Sequence, residues 1–406
     1  MRIARLIFGC LVYMLGAMSR VAVPGMVFER IIEDYCLTSA QVALLPSAGV
    51  FGCMLFIGLS GVFVDRFGWG RMLLVGSVLQ ALAYVPVHES SNLLLMLIGE
   101  FFNGGGRTIV YLAILKLFDV SFDRRYFAAM IGVFYVFSYG GTLGASAVFP
   151  WLVEACGTWQ LAARVVNFGT LACAAALAIL AVTMRGDTVR LAASPVRSAF
   201  PWRDMLASFR VRKARLAMIV AGLNIAVYWS FLCVSAAPFA RLHGMPALVS
   251  EMNWVVMFGM VFMGSVSLLL KNARRPFFLW GAGAIVAAFT MLLCASMFGA
   301  KGIAPYRTAY LLLGAGYGVT SVLLTGTKEC VPTVYMASAI GFTNLFANVV
   351  QIGGNQVSGA LMALGENGYP FVFVLYLVLA GVSLIAAVRF ARGATGLLCD
   401  TKCRAE

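Results

Sequence analysis

Apolar residues run along this chain in long blocks separated by short polar loops, and the length of the blocks decides what they are. A helix rises ~1.5 Å per residue, so roughly 20 apolar residues cross the ~30 Å hydrocarbon core of a bilayer. Blocks of about that length lie near 6–28, 41–64, 71–88, 92–117, 126–150 and 161–184, and again at 214–238, 247–270, 276–298, 304–327, 335–363 and 369–391. Backbone groups in lipid must bond within their own segment, so each block predicts a membrane-spanning helix. The pattern predicts an all-α integral membrane protein: twelve transmembrane helices in two pseudo-symmetric six-helix bundles.

The one long polar interruption, 185–213, falls at the midpoint. It separates an N-terminal bundle, 1–184, from a C-terminal bundle, 214–391, with 392–406 as a tail. Within it, Trp202, Met205, Leu206 and Phe209 share one helical face while Arg203, Arg210, Arg212 and Lys213 take others. That spacing predicts an amphipathic helix lying on the membrane surface. The first block is too long for a signal-peptide core and lacks a small-residue cleavage pattern, so it is read as a helix.

Composition agrees with lipid as the solvent. Charged residues are 11% of the chain and hydrophobic ones 62%, against ~25% charged in a soluble domain. The net charge of +14 would suggest nucleic acid in a soluble protein. Here the Lys and Arg residues gather in alternate loops, leaving Arg30, Arg241, Lys301 and Arg307 on the other side. The positive-inside rule then places both termini in the cytoplasm of an inner-membrane protein, its cations facing anionic headgroups and not nucleic acid. The cysteines are scattered, and the Cys399/Cys403 pair has no second pair to complete a zinc site, so neither metal nor cofactor is expected. The two histidines, His88 and His243, fall in outer loops away from any nucleophile, which argues against an enzyme.

The halves read as distant repeats. Gly61–Arg71 (GVFVDRFGWGR) is echoed by Gly264–Arg274 (GSVSLLLKNAR), with the first glycine and last arginine retained and Leu268 in place of Asp65. In the first copy Gly61, Asp65, Arg66, Gly68 and Arg71 resemble the signature loop of the major facilitator superfamily. That resemblance implies a transporter with a cavity between two bundles, and a gating role for these five residues. Gly61 would let helices approach, Gly68 would make the turn, and Asp65 would help hold the cytoplasmic side shut. Trp69 and Gly70 depart from the family, where basic residues are usual.

Charges inside the blocks are few and expensive, ~2.5–3.5 kcal/mol for an arginine at mid-membrane. Arg20 lies about 21 Å along the first block, in the run Ser19-Arg20-Val21-Ala22-Val23-Pro24. This run, with Phe28-Glu29-Arg30 and the capped start Leu37-Thr38-Ser39-Ala40-Gln41, resembles the anion:cation symporters and, more distantly, the organophosphate antiporters. The resemblance implies that Arg20 binds substrate. The fourth block carries Glu100 and, seven residues on along the same face, Arg107. The symporters show the same spacing with the two charges exchanged, and an acid where Ser19 stands here, so their proton-coupling residues do not transfer. Glu100 is the one acid deep in a span. Two roles are open to it, a protonatable coupling group and a fixed counter-ion to Arg20.

Polar residues form helical stripes: Asn344, Asn348, Gln351 and Asn355; Asn224, Tyr228 and Ser235; Tyr135, Tyr139, Thr142 and Ser146; Tyr310, Tyr317 and Ser321; and Tyr13, seven residues before Arg20. Such groups suit substrate oxygens and also interhelical hydrogen bonds. Gly104-Gly105-Gly106 follows no strand, so close packing explains it better than phosphate binding. The reading is a monomeric secondary transporter that moves a small organic anion (sugar acid, carboxylate or phosphorylated compound) by alternating access, with H+ as candidate coupling ion. Substrate-binding candidates are Arg20, Arg107, Tyr13, Asn224, Tyr228, Asn344, Asn348 and Gln351. The competing readings are an efflux pump for amphipathic compounds and a non-transporting sensor on the same scaffold.

Overall fold

The computed structural model describes residues 2–121, 127–183, 209, 211–269, 275–299, 302–331 and 336–392. The surface helix expected within 185–213 lies outside them except for Phe209 and 211–213. So do the tail beyond Arg392, the side chain of Asp65 and the side chains of the second loop copy.

The described residues form helices and no strands, in twelve rods. The first half comprises α1 (Arg2–Val21, continuing as a π turn over Ala22–Met26), a short α2 (Phe28–Tyr35), α3 (Ser39–Phe67), α4 and α5 (Trp69–Ala83 and Val85–Glu89), α6 (Leu93–Ser121), α7 (Phe127–Cys156) and α8 (Trp159–Thr183). The second comprises α9 (Arg212–Ser230, then a π turn over Phe231–Ser235), α10 (Ala236–Leu242), α11 (Ala247–Leu269), α12 (Arg275–Met297), α13 and α14 (Ala304–Gly318 and Thr320–Glu329), α15 (Met336–Met362) and α16 (Tyr369–Arg392). Ten stretches are long and apolar enough to cross a bilayer. The other two rods are α11, whose described apolar stretch is Ala247–Met263, and the more polar α15.

Local chemistry sets the boundaries. Thr38 and Gln41 form a reciprocal capping box that starts α3. Gly68, at φ +85°, makes the turn into α4 that a side chain would resist. Between α3 and α6, glycines take the place of side chains: a Cβ at Gly104 or Gly52 would strike the backbone of the other helix. Such close approach is how helices associate in lipid, where there is no hydrophobic drive between them. Gly61 does not act this way. A Cβ there would meet nothing within 4 Å, so the close packing expected of it is not made in this conformation. His88, expected in a loop, is instead buried on α5, with Nδ1 3.3 Å from Glu89 Oε1.

The two halves join at one end. A single hydrophobic cluster there runs from Val21, Phe28 and Phe149 in the first half to Phe231, Phe239 and Tyr376 in the second. At the opposite end the cores are separate, one around Leu6, Met72 and Phe134, another around Phe278 and Leu323. The bundle is thus sealed at the end that carries the described turns near 37, 91, 157, 244 and 365. Apolar side chains such as Trp151, Phe168, Phe262 and Trp280 stand exposed on the outside, as a lipid-facing surface requires.

Candidate functional site

The first helix of each half carries a π turn, and the two turns abut. A Cβ at Gly25 would lie 3.1 Å from the carbonyl oxygen of Leu232 and 3.6 Å from Cys233 Cα. Pro24 lacks an N–H and loosens the α1 ladder just beyond Arg20. Broken ladders of this kind recur at functional sites in helices.

Just below this seam, Arg20 lays its guanidinium over the ring of Trp229, 4.3 Å from the centroid, and both side chains are half-buried. Trp229 Nε1 donates to Tyr317 Oη at 2.8 Å. The Tyr317 ring stacks on Tyr228 at 3.8 Å and 6°, and its hydroxyl meets Tyr139 Oη at 3.1 Å. Tyr228 donates to Asn253 Oδ1 at 2.7 Å, and Asn253 Nδ2 donates to Ser146 Oγ at 3.0 Å. The whole set is continuous from α1 through α9, α13 and α11 to α7, and crosses between the halves three times. A second seam joins α3 to α15: Gln356 Nε2 donates to Ala43 O and Ser47 Oγ, both at 3.0 Å, and Asn355 Nδ2 donates to Ser47 Oγ at 3.3 Å. At the outermost layer Arg241 Nη1 meets Glu29 Oε2 at 3.4 Å.

Arg107 is buried and donates from Nη2 to Cys53 Sγ at 2.9 Å. Glu100 is 2% exposed; its Oε1 accepts no hydrogen bond, and its Oε2 takes one from Asn103 at 3.4 Å. Neither arginine forms an ion pair with it. The Glu100 carboxylate turns toward α3, beside Gly49. Among the described residues no carboxylate lies within ion-pair distance of either arginine.

The other candidates separate into two groups. Tyr13 packs with Phe134 at 4.7 Å and Tyr111 at 6.1 Å, half-buried as Tyr111 and Tyr135 are. Asn344 and Asn348 are also half-buried, and Gln351 is buried with Nε2 unpartnered. Asn224 turns into its own half, where its Oδ1 accepts from Ser383 at 3.1 Å. Tyr228 is committed to Asn253, and Tyr310 to Ala236 O at 2.7 Å. The described residues hold no cluster of three His, Cys, Asp or Glu side chains fit for a metal. Trp229, Asn253, Cys53 and Gln356 were not visible as site residues in the sequence. The aromatic pair Tyr228-Trp229 beside a polar stripe was the available signal for the first.

Residues 9–355 match the model of the Major Facilitator Superfamily. The chain belongs to that superfamily. It is a multi-pass membrane transporter and not an enzyme. No curated protein gives a significant match. Among solved structures, the fold is similar to a bacterial homologue of the human lysosomal transporter Spinster, captured inward-facing and unoccupied. The TM-score is 0.74 at 15% identity, covering 96% of this chain and 97% of that one. It is also similar to a point mutant of the nucleoside transporter NupG, with TM-score 0.71 at 14% identity over 96% and 99% of the two chains. Within this superfamily member, the joined cores at one end and separate cores at the other describe one conformation of a two-bundle carrier.

Proposed function

We propose that this transporter carries a small organic anion by alternating access, with Arg20 and Arg107 as its anion-recognising groups. One observation carries the reading: two guanidiniums lie inside the bundle with no carboxylate at ion-pair distance from either, Arg20 on the Trp229 ring and Arg107 on Cys53 Sγ. Holding unpaired cations in low dielectric is costly, and an anion between them removes that cost. Amphipathic efflux fits this site less well, since two cations against one acid disfavour apolar cargo. The likeness to a nucleoside transporter is one of fold, and a neutral nucleoside would leave the excess positive charge unbalanced.

The sealed end is the outer one, by the Lys and Arg asymmetry, so the conformation is open to the cytoplasm. Gly61, Asp65, Arg66, Gly68 and Arg71 gate that cytoplasmic end. Tyr13, Asn344, Asn348 and Gln351 complete the site around the anion's other oxygens. Glu100, unpaired and buried, is the candidate proton-coupling group; an anion on Arg20 neutralises part of the positive field around it and favours its protonation, which links binding to protons reciprocally. The test is uptake into proteoliposomes with a panel of sugar acids, phosphorylated sugars, short carboxylates and nucleosides. Saturable uptake of an anion, lost in Arg20→Ala, is expected; uptake of nucleosides alone overturns the reading.

A further inference from the structure

Resting on that reading, we propose that Trp229 is a positioning residue that transmits occupancy of Arg20 to the outer seal. It is the side chain that touches both. Its ring face carries the Arg20 guanidinium from the first half, and its edge N–H holds the Tyr317 hydroxyl that bonds to Tyr139 across the seam. The three rings Trp229, Tyr317 and Tyr228 are fixed against one another by stacking and edge contacts. Tyr228 in turn orients Asn253 for its bond to Ser146. Every member beyond Trp229 is buried, so none can exchange its partner for water while the seam stays shut.

A ligand shifts a conformational equilibrium only through a difference in affinity between the states. The Arg20–Trp229 contact supplies that difference. In the sealed state the guanidinium is engaged by the ring. An anion that pairs with Arg20 draws its charge off the ring face and forfeits a contact that corresponds to roughly two- to thirtyfold in equilibrium. Release of the ring frees the indole N–H from Tyr317, and the Tyr317–Tyr139 bond loses the group that aims it. Occupancy thereby weakens the outer seal.

Two native cysteines report the two sides of this event. Cys233 lies in the seam between the π turns with no exposure, and Cys53 is half-exposed beside Arg107. The experiment is site-resolved alkylation of the full chain in detergent, with and without an equimolar mixture of gluconate, glucose phosphate and succinate. In the parent, the anions should slow labelling of Cys53 and raise that of Cys233 by about fivefold, the equivalent of one seal hydrogen bond. Trp229→Phe keeps a ring under Arg20 and removes the N–H. It should still show protection of Cys53, while the anion-dependent rise at Cys233 disappears. Tyr317→Phe should behave the same way, and the double variant should add nothing further. If Trp229→Phe retains the full rise at Cys233, the relay is overturned while the anion reading stands. If the parent responds at neither cysteine, the anion reading fails and the relay falls with it. A purely structural role for Trp229 would change Cys233 labelling equally with and without anions, and that result also overturns the proposal.

Discussion

Arg107 points its guanidinium at the sulphur of Cys53, 2.9 Å away, and leaves the carboxylate of Glu100 on the same helix without an ionic partner. The seven-residue spacing puts the two groups on one face but separates them by about 10.5 Å along the axis. Glycines at 49, 52, 104 and 105 then draw α3 against α6, which brings Cys53 within reach of Arg107 and Gly49 beside Glu100. Close helix packing, and not charge pairing, decides where these side chains point.

Glu100→Gln should leave the protein folded, since the carboxylate makes a single long hydrogen bond that an amide can replace. Accumulation of the anion against a gradient is expected to vanish while counterflow exchange continues. Wild-type transport indifferent to an imposed pH gradient would show Glu100 to be uninvolved in coupling.

Arg20→Lys retains the charge and loses the planar fork that grips a carboxylate or phosphate at two points. Affinity for the transported anion should fall about tenfold or more, the scale of one charge-assisted hydrogen bond. Arg20→Ala should bind no anion measurably. Equilibrium dialysis with labelled anion reads both, and unchanged affinity in the alanine variant removes Arg20 from the site.

Gly359 faces α3, where a Cβ would crowd Ala43 and come within 3.0 Å of Ser39 O. Gly359→Val should wedge α15 off α3 and loosen the seal, at a scale of ~1–3 kcal/mol for overpacking. Cys233 labelling without any anion should rise several-fold. Gly283→Ala, where a Cβ meets open space, is the matched control and should change nothing.

Glu29 gives the seal a pH dependence. Burial at the sealed end pushes its carboxyl above the ordinary carboxylate range, more than Arg241 pulls it down, and Glu33 adds to the rise. On opening, water returns and the value falls back. The sealed state therefore binds more protons between the ordinary and the raised value, so acidification through that window favours sealing. Cys233 labelling should fall as pH is lowered there, and Glu29→Gln should remove that component of the titration.

The block pattern, the midpoint interruption and the placement of cations made most of the fold legible, because lipid leaves the chain few ways to satisfy its backbone. The tyrosines at 139, 228 and 317 and the stripe ending at Asn355 were visible as polar faces. Their bonding was not, since a stripe specifies a direction and not a partner. Asn224 and Tyr310 have the same periodicity as the others, yet they turn inward to Ser383 and to Ala236 O.

The sequence by itself determined that this chain is a helical membrane protein in two halves and that its interior carries two arginines and one acid. Those follow from the number and order of residues alone. Only the tertiary structure decided that Arg20 lies on Trp229, that Glu100 pairs with neither arginine, and that the seam is closed at one end. Each of these depends on how two helices distant in sequence approach each other, and that distance is set by glycines and packed rings whose partners the sequence does not name.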